Sequence, residues 1–293
     1  MEPIEIQNYM NGVPKKIWFF WYQGFVESPA LVKMCFNSWK IKNPDYQIEF
    51  LDKDSVQNFI KIPEHISLSR NDITFQKYAN FIRLQLLLEY GGVWIDADIY
   101  CFKSLQTWLN DSQLKSGVFM YSNTFPDRLI ANWFIAATQN NYLIQRWLET
   151  YSLYFKNNKL KFTYTKAGKY LRRKIRQRND SNIKDTGIWF SFFIRKILKI
   201  SPYLIMHYIF NKLYITDSAF RSIWDSSMKT EACLRDLRCQ MLFDLSFTEF
   251  EKQYHRGEIK LIKMSHKINS ETAHERAMMD LIYKDYELLK RDE

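Results

Sequence analysis

The stretch Glu89–Tyr100, EYGGVWIDADIY, decides how the rest of the chain is read. Gly91 and Gly92 follow a leucine-rich segment, the apolar run Val93–Ile95 comes next, and two carboxylates, Asp96 and Asp98, stand one residue apart at its end. Upstream, Phe75, Ala79, Ile82 and Leu86 recur at helical spacing, so Phe75 to Glu89 is predicted to be an apolar helix that the glycines stop. Val93–Ile95 is then a short strand. Ligands of open α/β sheets collect outside the carboxyl ends of strands, so the carboxylates sit where a ligand is expected.

Working outward, Lys16 to Tyr22 (KIWFFWY) is an unbroken apolar run of strand length that ends in Gln23 and Gly24, as expected of a buried parallel strand. Leu31, Val32, Cys35, Phe36 and Trp39 give Pro29 to Lys42 a helical pattern, which Asn43 and Pro44 end, and Tyr46 to Leu51 reads as the next strand. Further strands are predicted at Gly117 to Tyr121 and Asn132 to Ala137, and a helix at Tyr142 to Phe155. Ile188 to Ile200 reads as a basic amphipathic helix, with Ser191, Arg195 and Lys199 at four-residue intervals. Its charges and Pro202 exclude an ordinary membrane span over Ile188 to Phe210, leaving an interfacial helix or one packed on the core. His207, in YLIMHYIF, is read as a helix-interface residue.

A chain of 293 residues with 46% hydrophobic and 17% aromatic content is globular and long enough for one main domain with an appendage. Cys35, Cys101, Cys233 and Cys239 match no zinc spacing and fit reduced thiols of a cytoplasmic protein. The first residues carry no signal-peptide core. The net charge of +10 is matched by one segment, Lys156 to Arg178, with ten Lys or Arg and no acid. Such a segment suits anionic lipid, nucleic acid or a phosphorylated substrate, or is a solvated face.

Asp-x-Asp at a strand end can turn two hard oxygen donors toward one Mg²⁺ or Mn²⁺, with substrate phosphates completing the shell. The triplet alone is weak. Its setting is Tyr78-Ala79-Asn80-Phe81-Ile82-Arg83, the leucine run, Tyr90-Gly91-Gly92-Val93-Trp94 and Asp96-Ala97-Asp98, supported by the N-terminal KKIWFFWYQG. With these motifs the chain resembles the Asp-x-Asp glycosyltransferases of the capsular polysaccharide synthesis family, related to fungal initiating mannosyltransferases and distantly to the clostridial glucosylating toxins. After about residue 140 the resemblance is loose.

The resemblance implies a GT-A fold, a Rossmann-like α/β/α sandwich, with a helical, basic C-terminal part. It implies a nucleotide-sugar-binding core over 1–150, a mostly helical acceptor- or membrane-facing region over 151–255, and a return to the active site with a tail helix over 256–293. Asp98 would be the direct metal ligand, Asp96 would touch ribose or metal, and Arg83 would reach the donor; these three are the expected catalytic group. Asn80 replaces the family's usual acid and leaves the donor sugar open, since an amide brings no charge. Trp21, with Phe20 beside it, matches the position that stacks on the base, and Asn132 matches an asparagine facing the sugar. Ser265 and Lys267 would meet the diphosphate, and His266 would join the metal. The implied reaction is Mn²⁺- or Mg²⁺-dependent transfer of a hexose, from UDP-galactose or UDP-glucose, with retention. The acceptor would be a lipid-linked or other oligosaccharide, and the enzyme peripheral on the anionic inner face of the plasma membrane.

Two other readings fit the residues less well. A haloacid-dehalogenase-type phosphatase wants Thr or Val where Tyr100 stands, and its motif opens the domain. A nucleic-acid-binding protein built on the basic segment leaves Asp96 and Asp98 unexplained, so no nucleic-acid partner is expected.

Overall fold

The computed structural model describes residues 12–109, 114–122, 125–160, 165–179, 181–232, 247–264 and 273–291. Its strands are β1 (Lys16–Phe20), β2 (Gln47–Leu51), β3 (Gly92–Ile95), β4 (Ile99–Cys101), β5 (Val118–Ser122), β6 (Ile130–Ala137) and β7 (Leu261–Lys263). Its helices are α1 (Ala30–Lys42), α2 (Phe75–Tyr90), α3 (Tyr142–Lys156), α4 (Lys166–Asn179), α5 (Ile205–Thr216), α6 (Ser218–Ser226), α7 (Phe247–His255) and α8 (Ala273–Leu289). Five strands form one sheet in the order β2-β1-β3-β6-β5, and β4 pairs with β7 in a second, two-stranded sheet. β1 is parallel to both β2 and β3, whereas β6 is antiparallel to β3 and to β5.

Alternation sorts the side chains to two faces. Trp18, Phe20 and Trp94 join a core built with α2, α3, α5 and α6, while Ile17, Phe19, Val93 and Ile95 join one with Val32 and Trp39 of α1. Covered on both faces, β1 and β3 can be apolar at nearly every position, which is why their runs are unbroken. Helices on both sides make this a Rossmann-like α/β/α architecture.

The glycine pair has a steric cause. Gly91 and Gly92 have φ of +64° and +94°, and a Cβ on Gly92 would lie 2.5 Å from the Lys16 carbonyl oxygen. Only glycine lets α2 reverse into β3 so close against β1. Gly91 also closes the helix, its N–H donating to the Leu87 carbonyl at 3.0 Å.

One predicted element is different. Ile188 to Ile200 is not a single helix but a 3-10 segment, Asp185–Phe190, and a π-helical turn, Phe193–Ile197. Ser191 between them is extended (φ −64°, ψ 150°), and its hydroxyl accepts from the Ile194 N–H at 3.3 Å. A serine capping the second piece competes with continuous helix, and the β-branched and aromatic neighbours resist that weakly. Cys35 and Cys101 are buried free thiols; Cys233 and Cys239 lie outside the described residues.

Candidate active site

The turn at Gly91 and Gly92 sets α2 beside β3, and the heights match. Seven residues back from Tyr90 along a helix is about 10 Å, and the steps from Gly92 to Asp96 along a strand are about 13 Å. Arg83 and Asp96 therefore meet: Nη2 donates to Asp96 Oδ1 at 2.5 Å. The guanidinium lies 4.9 Å from the Trp94 ring centroid, and the same indole donates to Asp96 Oδ1 at 3.0 Å. Arg83 is thus held by a carboxylate and an aromatic face at once.

The second cation comes from the far end of the chain. β7 pairs antiparallel with β4, with Ile99 opposite Lys263, and the Met264 N–H donates to the Asp98 carbonyl at 2.8 Å. This register drops the Lys263 ammonium between the two carboxylates, 2.6 Å from Asp98 Oδ1 and 2.9 Å from Asp96 Oδ2. The lysine side chain is only 4% exposed. Burial pushes the Asp96 carboxyl up, but Lys263, Arg83 and the Trp94 N–H outweigh it and hold it well below the usual carboxylate range.

Asparagines extend the cluster. Asn80 Oδ1 accepts from Arg83 Nη1 at 3.2 Å and from Asn132 Nδ2 at 3.5 Å, and Asn132 Nδ2 lies 3.1 Å from the Met206 sulfur. Asn132 reaches this place because the β5–β6 register shifts between Met120 and Tyr121, a bulge that re-aims the strand. Met206 belongs to the first turn of α5, where half-buried His207 also stands in the field of Arg128, Arg83 and Asp96. Burial first, then the two arginines, pull its imidazole down to about 3, so it is neutral at ordinary pH.

Of the residues singled out from sequence, Asn80, Arg83, Asp96, Asp98 and Asn132 form one connected group. Phe20 ends β1 and Trp21 follows it at the same carboxyl edge, Phe20 packing on the α2 face and Trp21, part-buried, on the opposite one. Ser265, His266 and Lys267 lie outside the described residues. Sequence reasoning missed Lys263 and Met206. Lys263 left one trace, a charge closing the apolar run of LIK.

The donor set suits a hard cation, because one carboxylate oxygen each from Asp96 and Asp98 already converges on a single positive centre, the Lys263 ammonium. Asp96 and Asp98 are the residues that would hold a divalent ion.

The sheet thus carries paired carboxylates and their cations at its carboxyl edge. Residues 4–186 match the model of the family described as capsular polysaccharide synthesis protein, and the chain belongs to that family. It is 28% identical over 154 residues to the O-glycosyltransferase braB of Annulohypoxylon truncatum, covering 47% of this chain and 37% of that protein. To the initiation-specific alpha-1,6-mannosyltransferase of Candida albicans it is 28% identical over 140 residues, covering 43% and 36%. The matches thus span little more than a third of these relatives' length. The solved PaToxG glycosyltransferase is similar over 94% of this chain and 86% of its own, at 15% identity and a TM-score of 0.39, a likeness too distant to argue from.

Proposed function

We propose that this chain is a metal-dependent glycosyltransferase that moves a hexose from a nucleotide sugar, UDP-galactose or UDP-glucose, to a lipid-linked saccharide in surface-polysaccharide synthesis. One observation carries the reading: Asp96 and Asp98 aim one oxygen each at a single cation position on the carboxyl edge of the sheet. Binding and transfer divide among the chain's own residues. Trp21 offers its ring to the base, and Asn80 and Asn132 offer amides to sugar hydroxyls. Arg83 fixes Asp96, and its charge with that of Lys263 favours departure of a diphosphate. Bound Mn²⁺ or Mg²⁺ would supply Lewis-acid stabilisation of the same leaving group. Retention follows the family resemblance.

The membrane part rests on a surface. Phe192, Phe193, Ile197 and Tyr203 are 68%, 58%, 57% and 65% exposed, and they lie in the chain just after the basic helix α4. No helix among the described residues is long and apolar enough to cross a membrane. Attachment at an anionic surface by cations and exposed rings accounts for both features.

The test is a panel of nucleotide sugars incubated with Mn²⁺, following slow hydrolysis. We expect a UDP-hexose to be consumed, and Asp98→Asn to lose activity by a factor of about a hundred or more, measured on protein whose fold is checked separately because Asp98 is buried and paired with Lys263. Full activity in excess EDTA would sink the metal part. Consumption of no member of the panel would sink the donor assignment.

A further inference from the structure

The two asparagines of the site are not interchangeable, and Arg83 is the reason. A guanidinium carries donors and no acceptor, so the Asn80 amide, three residues before it on α2, must turn its oxygen toward Arg83. Asn80 Oδ1 accepts from Arg83 Nη1 at 3.2 Å. The same oxygen lies 3.5 Å from the Asn132 amide, which can meet it only with its nitrogen. The second hydrogen of that nitrogen has the Met206 sulfur at 3.1 Å, a weak acceptor. One charged side chain thus sets both amide orientations.

What remains unpaired points to a ligand. Asn80 Oδ1 has committed both lone pairs and Asn132 Nδ2 both hydrogens, whereas Asn80 Nδ2 and Asn132 Oδ1 have no partner among the described residues. Both residues are half-buried, yet neither free atom is sealed from solvent. Amides that serve packing alone are satisfied internally. The place of this pair is also defined: the Asp96 N–H donates to the Trp133 carbonyl at 2.9 Å, which sets Asn132 level with the Asp-x-Asp turn. Arg83 joins Asn80 to the Asp96 carboxylate through its two terminal nitrogens, at 3.2 and 2.5 Å.

We propose that Asn80 and Asn132 read the direction of the donor sugar's hydrogen bonds: one sugar oxygen accepts from Asn80 Nδ2, and one sugar hydroxyl donates its proton to Asn132 Oδ1. This rests on the glycosyltransferase reading and names the class of sugar the site takes, a neutral hexose with a free hydroxyl facing Asn132 and an oxygen that needs no proton facing Asn80. The family's usual acid at position 80 would reverse the first bond, because an ionised carboxylate only accepts. A sugar hydroxyl could still satisfy that acid by donating to it. A substituent with lone pairs alone could not, and would leave the charge short of a partner. Asn80 is therefore the residue that makes this chain tolerate an acceptor-only group at one sugar position.

The experiment reads binding rather than turnover. UDP-glucose, UDP-galactose and their monodeoxyfluoro analogues, with fluorine replacing each sugar hydroxyl in turn, are titrated calorimetrically into the full chain with Mn²⁺. Fluorine keeps lone pairs and lacks the proton. In the parent, fluorination is expected to weaken binding about tenfold or more at one position, the one facing Asn132, and less than about threefold at the position facing Asn80. Asn132→Leu should erase the first penalty, which identifies that position. Asn80→Asp should create a new penalty of about tenfold at the second. Melting temperature and affinity for UDP, which lacks the sugar, check that both variants are folded, and the parent with Asn132→Leu decides the matter even without Asn80→Asp. A parent in which no position stands out, an Asn132→Leu pattern identical to the parent's, or a folded Asn80→Asp with the parent's pattern overturns the proposal. A chain that binds no UDP-hexose at all breaks the glycosyltransferase reading itself, whereas one that binds them with an unchanged pattern breaks this proposal alone.

Discussion

Lys263 places one ammonium between two carboxylates, so the proposed metal would have to compete with it for them. With Lys263 and Arg83 present, Asp96 and Asp98 are balanced charge for charge. Lys263→Met removes one positive charge and leaves a net negative pair. We expect the variant to bind Mn²⁺ without nucleotide roughly tenfold more tightly than the parent, a difference of ~1.4 kcal/mol. It should also melt at a lower temperature in EDTA and recover with Mn²⁺, because an unpaired buried charge is strongly destabilising. Calorimetric titration decides it, and equal affinities would remove Lys263 from any part in cation exchange. The residue was hard to find from sequence because the lysine and its aspartate partner lie 165 positions apart and only the β4–β7 register joins them. Asp96, Asp98 and Arg83 were legible because a turn of two glycines fixes their relation locally.

Helix α2 carries a second buried lysine on its first turn. Lys77 donates to the Asp72 carbonyl at 2.8 Å and to the Ser201 hydroxyl at 2.9 Å, and burial brings its amine down to about 7 despite the opposing pull of Asp72. Arg172 and Arg70 press it in the same direction as burial. In the unfolded chain a lysine titrates near ~10.4, so between these values the unfolded state binds the extra proton and stability rises with pH. Below about 7 both states are protonated and the slope vanishes. The full rise is on the order of 4 kcal/mol. Denaturation midpoints from pH 6.5 to 9 should climb in the parent and stay flatter in Lys77→Met, and superimposable profiles would refute this origin. At the same scale, β1, β3, α1, α2 and α3 were readable because unbroken apolar runs and helical spacing are local signals. The break at Ser191 was not, since one hydroxyl choosing its partner leaves the hydrophobic pattern unchanged. Nor was the direction of β6, which depends on its pairing with β3 rather than on its own composition.

Over the whole molecule, charge is concentrated where the exposed rings are. Each Lys or Arg near an anionic bilayer adds about 1 kcal/mol, screened by salt. The protein is expected to sediment with phosphatidylglycerol vesicles at low salt and to be released at high salt. A variant with Arg172, Arg173, Lys174 and Arg176 changed to Gln should remain in the supernatant, and equal sedimentation of parent and variant would relieve α4 of that duty. The basic segment was plain in the sequence, whereas a hollow that it lines was not, because its other wall comes from Trp189 and Tyr208, whose positions depend on how α5 packs.

The β4–β7 pair also orders events in time. A growing chain presents β1 to β6 long before residue 263 is made, and during that interval Asp96 can pair with Arg83 but neither Asp96 nor Asp98 yet has the Lys263 ammonium. Ionised carboxylates short of one positive charge keep their hydration, so the carboxyl edge is expected to stay wet in the nascent protein. Pairing of Leu261–Lys263 with Ile99–Cys101 is then expected to exclude that water as it forms. Ribosome-bound chains halted before and after this strand should therefore differ at the donor edge far more than in the sheet beneath it.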